Sequence, residues 1–256
     1  MNKYSREFLV EEFLCRDKEL PLNYIINYLI ETSNCHSKSM GISNEKLVKS
    51  GYTWMLYKWK INILKYPKAF QKIKIITWSS GFKSLMAFRE YEIFLGSEKI
   101  ASASAHFLLV DLKTRKPISI PKKLIEIYKI YDEKNFDKIE RINEPKDLEI
   151  INNFDYKILK RDIDFNNHVN NSIYAGLLYE ALPDMLSKVK FTDININYTK
   201  ELRLKDHVFI DVYSKENKLY FFFKNRDRNI MYARVLTEYI SWKKFFQMVT
   251  LLIENI

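Results

Sequence analysis

Cysteine, glycine and proline are all scarce in this chain. Its 256 residues include two cysteines, five glycines and six prolines. So few turn-forming residues favour long strands or helices over a loop-rich architecture. Cys15 and Cys35 do not form a Cys-x-x-Cys pair, and two such isolated thiols fit a reducing compartment.

The sequence also lacks the long apolar runs of secreted and membrane-spanning proteins. The amino terminus, MNKYSREFLV, has neither the apolar segment nor the small-residue cleavage site of a secretory signal. No stretch approaches the length of about 18 apolar residues that a spanning helix needs. The best candidate, residues 245–253, is interrupted by Gln247 and Thr250. We therefore expect a cytoplasmic protein without a membrane span.

Apolar, aromatic and basic residues are abundant. Hydrophobic residues make up 47% of the chain, with 17 Tyr, 17 Phe and 4 Trp, which is enough for a substantial globular core. The formal net charge is +10, which favours an acidic partner such as nucleic acid, an anionic membrane surface or an acidic protein. The lysines are dispersed, so a solvated surface explains the charge equally well.

The chain contains two similar units. Residues 21–34 carry apolar side chains at spacings of three and four, which predicts a helix, and strand-like segments follow. The second half repeats this order, with a periodic segment at 173–186 and strands after it. One helix followed by consecutive strands is typical of an α+β unit. The predicted strands are 58–64, 73–78 and 105–112 in the first half, and 189–198, 208–213, 219–224 and 232–242 in the second.

A charged segment separates the two units. It has a weak helical pattern in LIEIYKIY, and Glu144-Pro145 is expected to interrupt regular secondary structure. We predict an N-terminal unit at 1–125, a linker at 126–153 and a C-terminal unit at 154–256. A surface helix of the first unit and a flexible connection are both compatible with the linker composition.

The polar run RDIDFNNHVNN, residues 161–171, precedes the second helix. Asp164, Asn166 and His168 alternate, so an extended backbone would point the three side chains the same way. A carboxylate, an amide and an imidazole suit acyl transfer, because they can act as base, oxyanion donor and proton carrier. Backbone N–H groups at residues 170–172 would add positive potential. The alternative, that Asn and Asp only cap the helix and that His168 is a surface residue, stays open on spacing alone.

This run, DFNNHVNN at 164–171, resembles the signature of the acyl-acyl carrier protein thioesterases of plants and bacteria. That signature is Asp-x-Asn-x-His-Val-Asn-Asn leading into a helix. The resemblance continues through Tyr174, Glu180 and Pro183, and through the strand ending at Glu201. In the first half, residues 65–94 and 98–121 are similar to the first sheet of this family.

The resemblance implies a tandem (double) hotdog fold, in which each of two units has a long helix wrapped by an antiparallel sheet. It implies hydrolysis of the acyl-acyl carrier protein thioester, which releases free fatty acid and ends chain elongation in fatty acid biosynthesis. By position it makes Asp164, Asn166, His168 and Glu201 catalytic. Leu202 stands where many plant members have a cysteine, so a thiol nucleophile is excluded there. Attack by water and attack by the Asp164 carboxylate both remain open.

The resemblance also suggests where the substrate binds. The first unit has no Asp-x-Asn-x-His run, and we expect it to hold the acyl chain against Trp59, Trp78 and Phe107, although these residues suit a simple core equally well. Asn170 and Asn171 are further candidates for substrate contact.

The expected partner is acyl carrier protein, whose acidity matches the +10 charge. We expect no metal, cofactor or nucleic acid, and a monomer or homodimer. An acyl-coenzyme A thioesterase is the alternative enzyme, and a non-catalytic acyl-binding hotdog protein is the alternative from another class.

Overall fold

The computed structural model describes residues 3–164 and 168–240. The chain divides into two compact units, Met1–Ile139 and Glu140–Ile256, which we call unit 1 and unit 2. The division falls inside the predicted linker at 126–153.

Unit 1 combines one long helix with an antiparallel sheet. Its strands are ordered β1-β3-β4-β5-β2, and β6 adds to β5. Every neighbouring pair is antiparallel. The strands are β1 (Lys3–Leu9), β2 (Tyr52–Ile63), β3 (Lys72–Lys83), β4 (Met86–Leu95), β5 (Glu98–Asp111) and β6 (Lys116–Pro117), and the helices are α1 (Leu22–Ser39), α2 (Asn44–Lys49) and α3 (Lys122–Ile127).

Helix α1 follows the predicted apolar periodicity. Leu22, Ile25, Ile26 and Leu29 are all buried, and each such side chain contributes about 1.5–3 kcal/mol through burial. The helix extends five residues past the predicted end at residue 34, to Ser39. The chain then turns through Gly41, whose φ of +82° lies in the left-handed region that glycine adopts readily.

The segment after α3 lies along one face of the unit 1 sheet, which we call the outer face. The Trp78 indole N–H donates to the Glu133 carbonyl at 2.8 Å, and Asn135 Nδ2 donates to the carbonyls of Tyr91 and Ala103, both at 2.9 Å. The Lys58 ammonium donates to the Ile139 carbonyl at 3.2 Å. The predicted linker at 126–153 therefore begins with the last two residues of α3, and side chains hold the segment that follows against the sheet.

Unit 2 repeats the plan with one helix, α4 (Asn171–Glu180), and a sheet ordered β8-β11-β10-β9-β7. Its neighbouring strands are also antiparallel. The helix is shorter than the predicted segment 173–186, because Pro183 follows closely and a separate 3-10 turn covers Asp184–Leu186. The strands are β7 (Ile150–Lys157), β8 (Lys190–Tyr198), β9 (His207–Lys215), β10 (Lys218–Lys224) and β11 (Met231–Ile240). The end of the last predicted strand, residues 241–242, lies outside the described residues.

Aromatic side chains join α4 to the unit 2 sheet. The Tyr174 ring packs edge-on against Tyr198, with centroids 5.2 Å apart, and lies 5.4 Å from Phe223. Tyr179 and Phe191 are 4.8 Å apart. These contacts fix the position of the helix, at whose amino end the polar run of the sequence lies.

A buried group of charges lies on the unit 2 sheet, and we call it the Asp211 cluster. Asp211 accepts hydrogen bonds from Arg228 Nε and Nη2 at 3.2 and 3.1 Å, and from Lys224 Nζ at 3.2 Å. Lys224 also contacts Glu144, which the Tyr213 hydroxyl reaches at 2.9 Å. Burial alone would raise the pKa of Asp211, but the hydrogen bonds from Arg228 and Lys224 outweigh it and hold that pKa below its usual value.

Within residues 3–164 and 168–240, none of the helices combines the length and apolarity needed to cross a membrane. The same residues contain no group of three or more His, Cys, Asp or Glu side chains arranged to hold a metal ion. Cys15 and Cys35 are both free thiols.

A buried histidine makes the stability of unit 1 depend on pH. Burial, followed by the positive charge of Arg89, lowers the pKa of His36 from 6.5 to about 4. The unfolded chain protonates this imidazole near its ordinary pKa, while the folded chain keeps it neutral. The contribution of the neutral His36 to the free energy of unfolding is therefore fully present above about pH 6.5. It is lost as the pH falls towards 4, by up to about 3 kcal/mol. Urea unfolding of the wild type and of His36→Gln, at neutral pH and near pH 5, measures this difference.

The variant is expected to lose less stability than the wild type over that interval. Part of the pH dependence will persist, because burial also lowers the pKa of His106 to about 4. Equal losses in the two proteins would contradict the assignment to His36.

Candidate active site

The two ends of the 163–169 segment lie side by side. Ile163 and Val169 form an antiparallel bridge. The Asp164 N–H donates to the His168 carbonyl at 2.8 Å, and the His168 N–H donates to Asp164 Oδ1 at 3.2 Å. In a fully extended chain the Cα atoms of Asp164 and His168 would be about 13 Å apart. Asp164 and His168 are therefore paired with each other and are not separated as they would be along one extended strand. Asn166 lies outside the described residues.

His168 meets Glu201 in this structure. The Val169 N–H donates to the Leu202 carbonyl at 3.2 Å, which holds the segment beside the chain that follows β8. As a result, His168 Nε2 lies 3.3 Å from Glu201 Oε2. The two side chains are 32% and 37% exposed, so water has access to the pair.

The contact constrains the chemistry of the pair. A carboxylate can only accept, so a neutral His168 that hydrogen-bonds to Glu201 carries its proton on Nε2 and leaves Nδ1 as an acceptor. The guanidinium of Arg203 lies 3.9 Å from the same carboxylate oxygen and is 60% exposed. A proton acceptor, a proton carrier and a nearby cation are thus assembled at one solvent-accessible point.

The asparagines that begin α4 have structural partners. Asn170 Oδ1 accepts from the Ser172 N–H and from its hydroxyl, both at 3.0 Å, so this side chain caps the helix. The Asn170 N–H donates to the Asp162 carbonyl at 2.9 Å. The N–H groups of residues 170 and 172 are therefore engaged, and the expectation that they are open to a substrate oxygen is wrong for these two. The Asn171 carbonyl accepts from the Tyr198 hydroxyl at 3.1 Å.

The sequence alone assigned no role to Asp162, but its hydrogen bonds hold the polar run in place. Its side chain is almost fully buried, and Oδ2 accepts from the Tyr156 hydroxyl at 3.0 Å and from the Leu159 N–H at 2.8 Å. Because its carbonyl also accepts from Asn170, one residue connects β7, the polar run and the start of α4. Its position in the polar run was visible in the sequence, but its burial was not.

In the thioester hydrolysis that the sequence resemblance implies, replacing Asp162 by asparagine is expected to lower kcat about tenfold while KM changes little. The amide oxygen can still accept both hydrogen bonds, but they lose the strength that the carboxylate charge gives them, about 1–2 kcal/mol in all. The variant should stay folded but hold His168 less firmly. Steady-state kinetics and far-UV circular dichroism measure both effects, with Asp184→Asn at an exposed position as the control. A folded variant with unchanged kcat would contradict the positioning role.

The three aromatic residues predicted for acyl binding do not share one face of the unit 1 sheet. Trp59 is fully buried and its ring centre lies 5.3 Å from that of Tyr91, while the partly buried Phe107 is on the same face. Trp78 is in register with Glu90 and lies on the outer face, against the segment after α3. A single channel cannot be lined by all three, because neighbouring positions on a strand point to opposite faces.

Two protein-family profiles match this chain. The acyl-ACP thioesterase N-terminal domain matches residues 2–128, and the acyl-ACP thioesterase C-terminal domain matches residues 144–244. The two matches together cover most of the chain and follow one another in the order of its two units.

Curated proteins similar to the chain include plant enzymes. The oleoyl-acyl carrier protein thioesterase, chloroplastic, of Coriandrum sativum is 23% identical over 222 residues, which are 77% of this chain and 60% of that protein. Oleoyl-acyl carrier protein thioesterase 1, chloroplastic, of Arabidopsis thaliana is 22% identical over 227 residues, which are 80% and 62% of the two chains. The chain thus spans about three-fifths of the length of these relatives.

Solved structures share the fold. An acyl-ACP thioesterase from Bacteroides thetaiotaomicron superposes with a TM-score of 0.84 at 20% identity, covering 93% of this chain and 98% of that one. The 12:0-ACP thioesterase from Umbellularia californica gives 0.81 at 16% identity, covering 94% and 98%. The predicted α+β, tandem hotdog fold is confirmed.

Proposed function

Because this chain belongs to the acyl-ACP thioesterase family, we propose that it hydrolyses the thioester bond of acyl-acyl carrier protein. The reaction releases free fatty acid and ends chain elongation in fatty acid biosynthesis. The observation that carries the proposal is the 3.3 Å contact between His168 Nε2 and Glu201 Oε2, in a segment whose residues match the family signature.

In the proposed reaction, Glu201 removes a proton from a water molecule as its oxygen attacks the thioester carbonyl carbon. The tetrahedral intermediate then breaks its C–S bond, and the leaving thiolate takes up a proton from His168, which regains one from Glu201. The contact between the two side chains allows a proton to pass between them. Asn166 is proposed to donate to the carbonyl oxygen as it becomes negative.

The Asp164 carboxylate could instead attack the carbonyl and form a mixed anhydride. Its Oδ1 accepts the His168 N–H, which fits a role in holding His168 better than a role as nucleophile. A single turnover in oxygen-18 water separates the two routes. Direct water attack places the label in the fatty acid alone, whereas an anhydride that water opens at the Asp164 carbonyl carbon places the label in the enzyme carboxylate.

The proposed substrate carrier is acyl carrier protein. The net charge of +10 suits an acidic partner, since complementary charge accelerates encounter. One exposed cation, Arg203, lies 3.9 Å from Glu201 Oε2, and the exposed Arg161 and Lys205 are near the two residues of the pair in sequence.

The carrier is tested by offering one acyl chain on acyl carrier protein and on coenzyme A, and measuring free fatty acid. We expect kcat/KM to be about tenfold or more higher with acyl carrier protein, and this advantage to shrink as salt is added. Equal or faster hydrolysis of acyl-coenzyme A would contradict the choice of carrier.

Other parts of the proposal concern the acyl chain and the location of the protein. Trp59 and Phe107, which share a face of the unit 1 sheet, are proposed to contact the acyl chain. A cytoplasmic location is supported by the free thiols of Cys15 and Cys35. The state of assembly, monomer or homodimer, stays a prediction.

A further inference from the structure

Unit 1 contains a buried arginine without a carboxylate partner. Arg89 on β4 is 7% exposed. Its Nη1 lies 3.0 Å from His36 Nδ1 and 3.4 Å from the Thr77 hydroxyl, and its guanidinium carbon lies 5.6 Å from the centre of the Tyr128 ring. Among residues 3–164 and 168–240, no Asp or Glu lies within ion-pair distance of it.

Two other cations of this protein, by contrast, do have a carboxylate partner. The buried Lys224 of unit 2 pairs with Asp211, and the more exposed Arg6 pairs with Glu31 at 2.7 Å. A buried charge is costly unless an opposite charge or a ligand compensates it. An anion bound next to the His36 imidazole would therefore compensate part of the Arg89 charge.

His36 adds a second buried donor. A guanidinium can only donate hydrogen bonds, so His36 Nδ1 must accept and the imidazole proton must be on Nε2. Within the part of the chain that the structure describes, no acceptor contacts that Nε2. The side chain is 4% exposed and packs flat against the Tyr4 ring, with centroids 5.5 Å apart.

A cavity of about 550 Å³ opens beside this pair, and both His36 and Tyr128 line it. Its size suits a small organic molecule. Lys129 and Lys3, which also pairs with Glu133 at 3.2 Å, are the cations of the lining, Glu126 is its anion, and Met40 contributes an apolar surface. Arg89 does not line the cavity and lies behind His36.

We propose that this cavity binds the carboxylate of a small organic acid through His36 Nε2, with the charge of Arg89 directly behind the imidazole. A monoanion fits better than phosphate, because Glu126 repels a second negative charge and Met40 offers contact to a hydrocarbon body. The site belongs to unit 1 and uses none of the residues assigned to hydrolysis. It does not rest on the proposed function.

The test uses the full chain and three probes: hexanoate, its uncharged analogue hexanol, and inorganic phosphate. Isothermal titration is expected to show hexanoate binding about tenfold or more tightly than either of the others. Arg89→Gln is expected to weaken hexanoate binding by a similar factor. Arg6→Gln, at an arginine that already has a carboxylate partner, and His168→Ala are the controls, and both should bind hexanoate like the wild type.

Three results would overturn the proposal: hexanol or phosphate binding as tightly as hexanoate, unchanged hexanoate affinity in Arg89→Gln, or loss of binding in His168→Ala. The last result would place hexanoate at the hydrolytic site. An NMR measurement on the wild type does not depend on whether Arg89→Gln folds. With imidazole ¹⁵N labelling, hexanoate should shift the His36 signals, and an unmoved His36 resonance at saturating hexanoate would also overturn the proposal.

Discussion

Replacing Glu201 by glutamine is expected to lower kcat for acyl-acyl carrier protein hydrolysis by about 100- to 10,000-fold, the usual range for loss of a general base. The amide has nearly the same shape as the carboxylate but cannot take a proton from water. His168→Ala should produce a loss of similar size, because its Nε2 lies 3.3 Å from the carboxylate and completes the pair. Steady-state release of free fatty acid from one acyl-acyl carrier protein measures both variants.

Unit 2 offers a matched control for these variants. His207 and Asp155 form another exposed pair of imidazole and carboxylate, with Nδ1 and Oδ1 3.4 Å apart. They lie outside the segment that carries the family signature, so His207→Ala and Asp155→Asn should leave kcat within about twofold of the wild type. Wild-type activity in Glu201→Gln, or an equal loss in the control variants, would show that the assigned pair is not the reacting site.

Replacing Asp211 by alanine is expected to lower the free energy of unfolding by about 3–5 kcal/mol, the usual cost of removing one partner from a buried ion pair. Asp211 is fully buried and accepts hydrogen bonds from Lys224 and Arg228. Without it, the one carboxylate that contacts the buried Lys224 is that of Glu144, whose side chain is 39% exposed. Denaturant unfolding followed by tryptophan fluorescence measures the loss.

An exposed pair in the same unit provides the comparison. Glu238 and Lys218 lie 3.6 Å apart with both side chains 42% exposed, so Glu238→Ala should change stability by no more than about 1 kcal/mol. If Asp211→Ala cost no more than Glu238→Ala, the Asp211 cluster would not hold the unit 2 sheet together as described.

Periodicity predicted the elements that have one apolar face. Helix α1 and strands β8 to β11 were all visible in this way. Strand β4 was missed because two adjacent charged residues, Arg89 and Glu90, interrupt its pattern, and both are buried. The two side chains are buried on opposite faces of the sheet. Arg89 contacts His36 of α1. Glu90 accepts hydrogen bonds from the Ser80 hydroxyl and from the N–H of Asn135, a residue of the segment after α3. A pattern rule that expects one polar face cannot anticipate such a strand.

Strand β7 was missed for a related reason. Its sequence, IINNFDYK, alternates without a buried apolar face, and its place in the sheet comes from pairing with β9. Long-range pairing of this kind has no local signal in the sequence. Helix α4 was predicted too long because its periodicity runs on through Leu182 and Leu186, although the helix ends at Glu180.

The candidate site, too, could be predicted only in part from the local sequence. The residue types of the polar run, and its place before a helix, could be predicted from the sequence. The contact between His168 and Glu201 could not, because it depends on a backbone hydrogen bond between Val169 and Leu202. The resemblance supplied Glu201 as a candidate, and the structure supplied its distance from His168.

The most direct test of the account is the kcat of the double variant His168→Ala/Glu201→Gln, compared with the two single variants on acyl-acyl carrier protein. Residues that act as one unit are strongly non-additive, since removing either one already disables the pair. We predict that the double variant is about as slow as the slower single variant. A double variant whose loss equals the product of the two single losses would contradict the claim that His168 and Glu201 form one hydrolytic site.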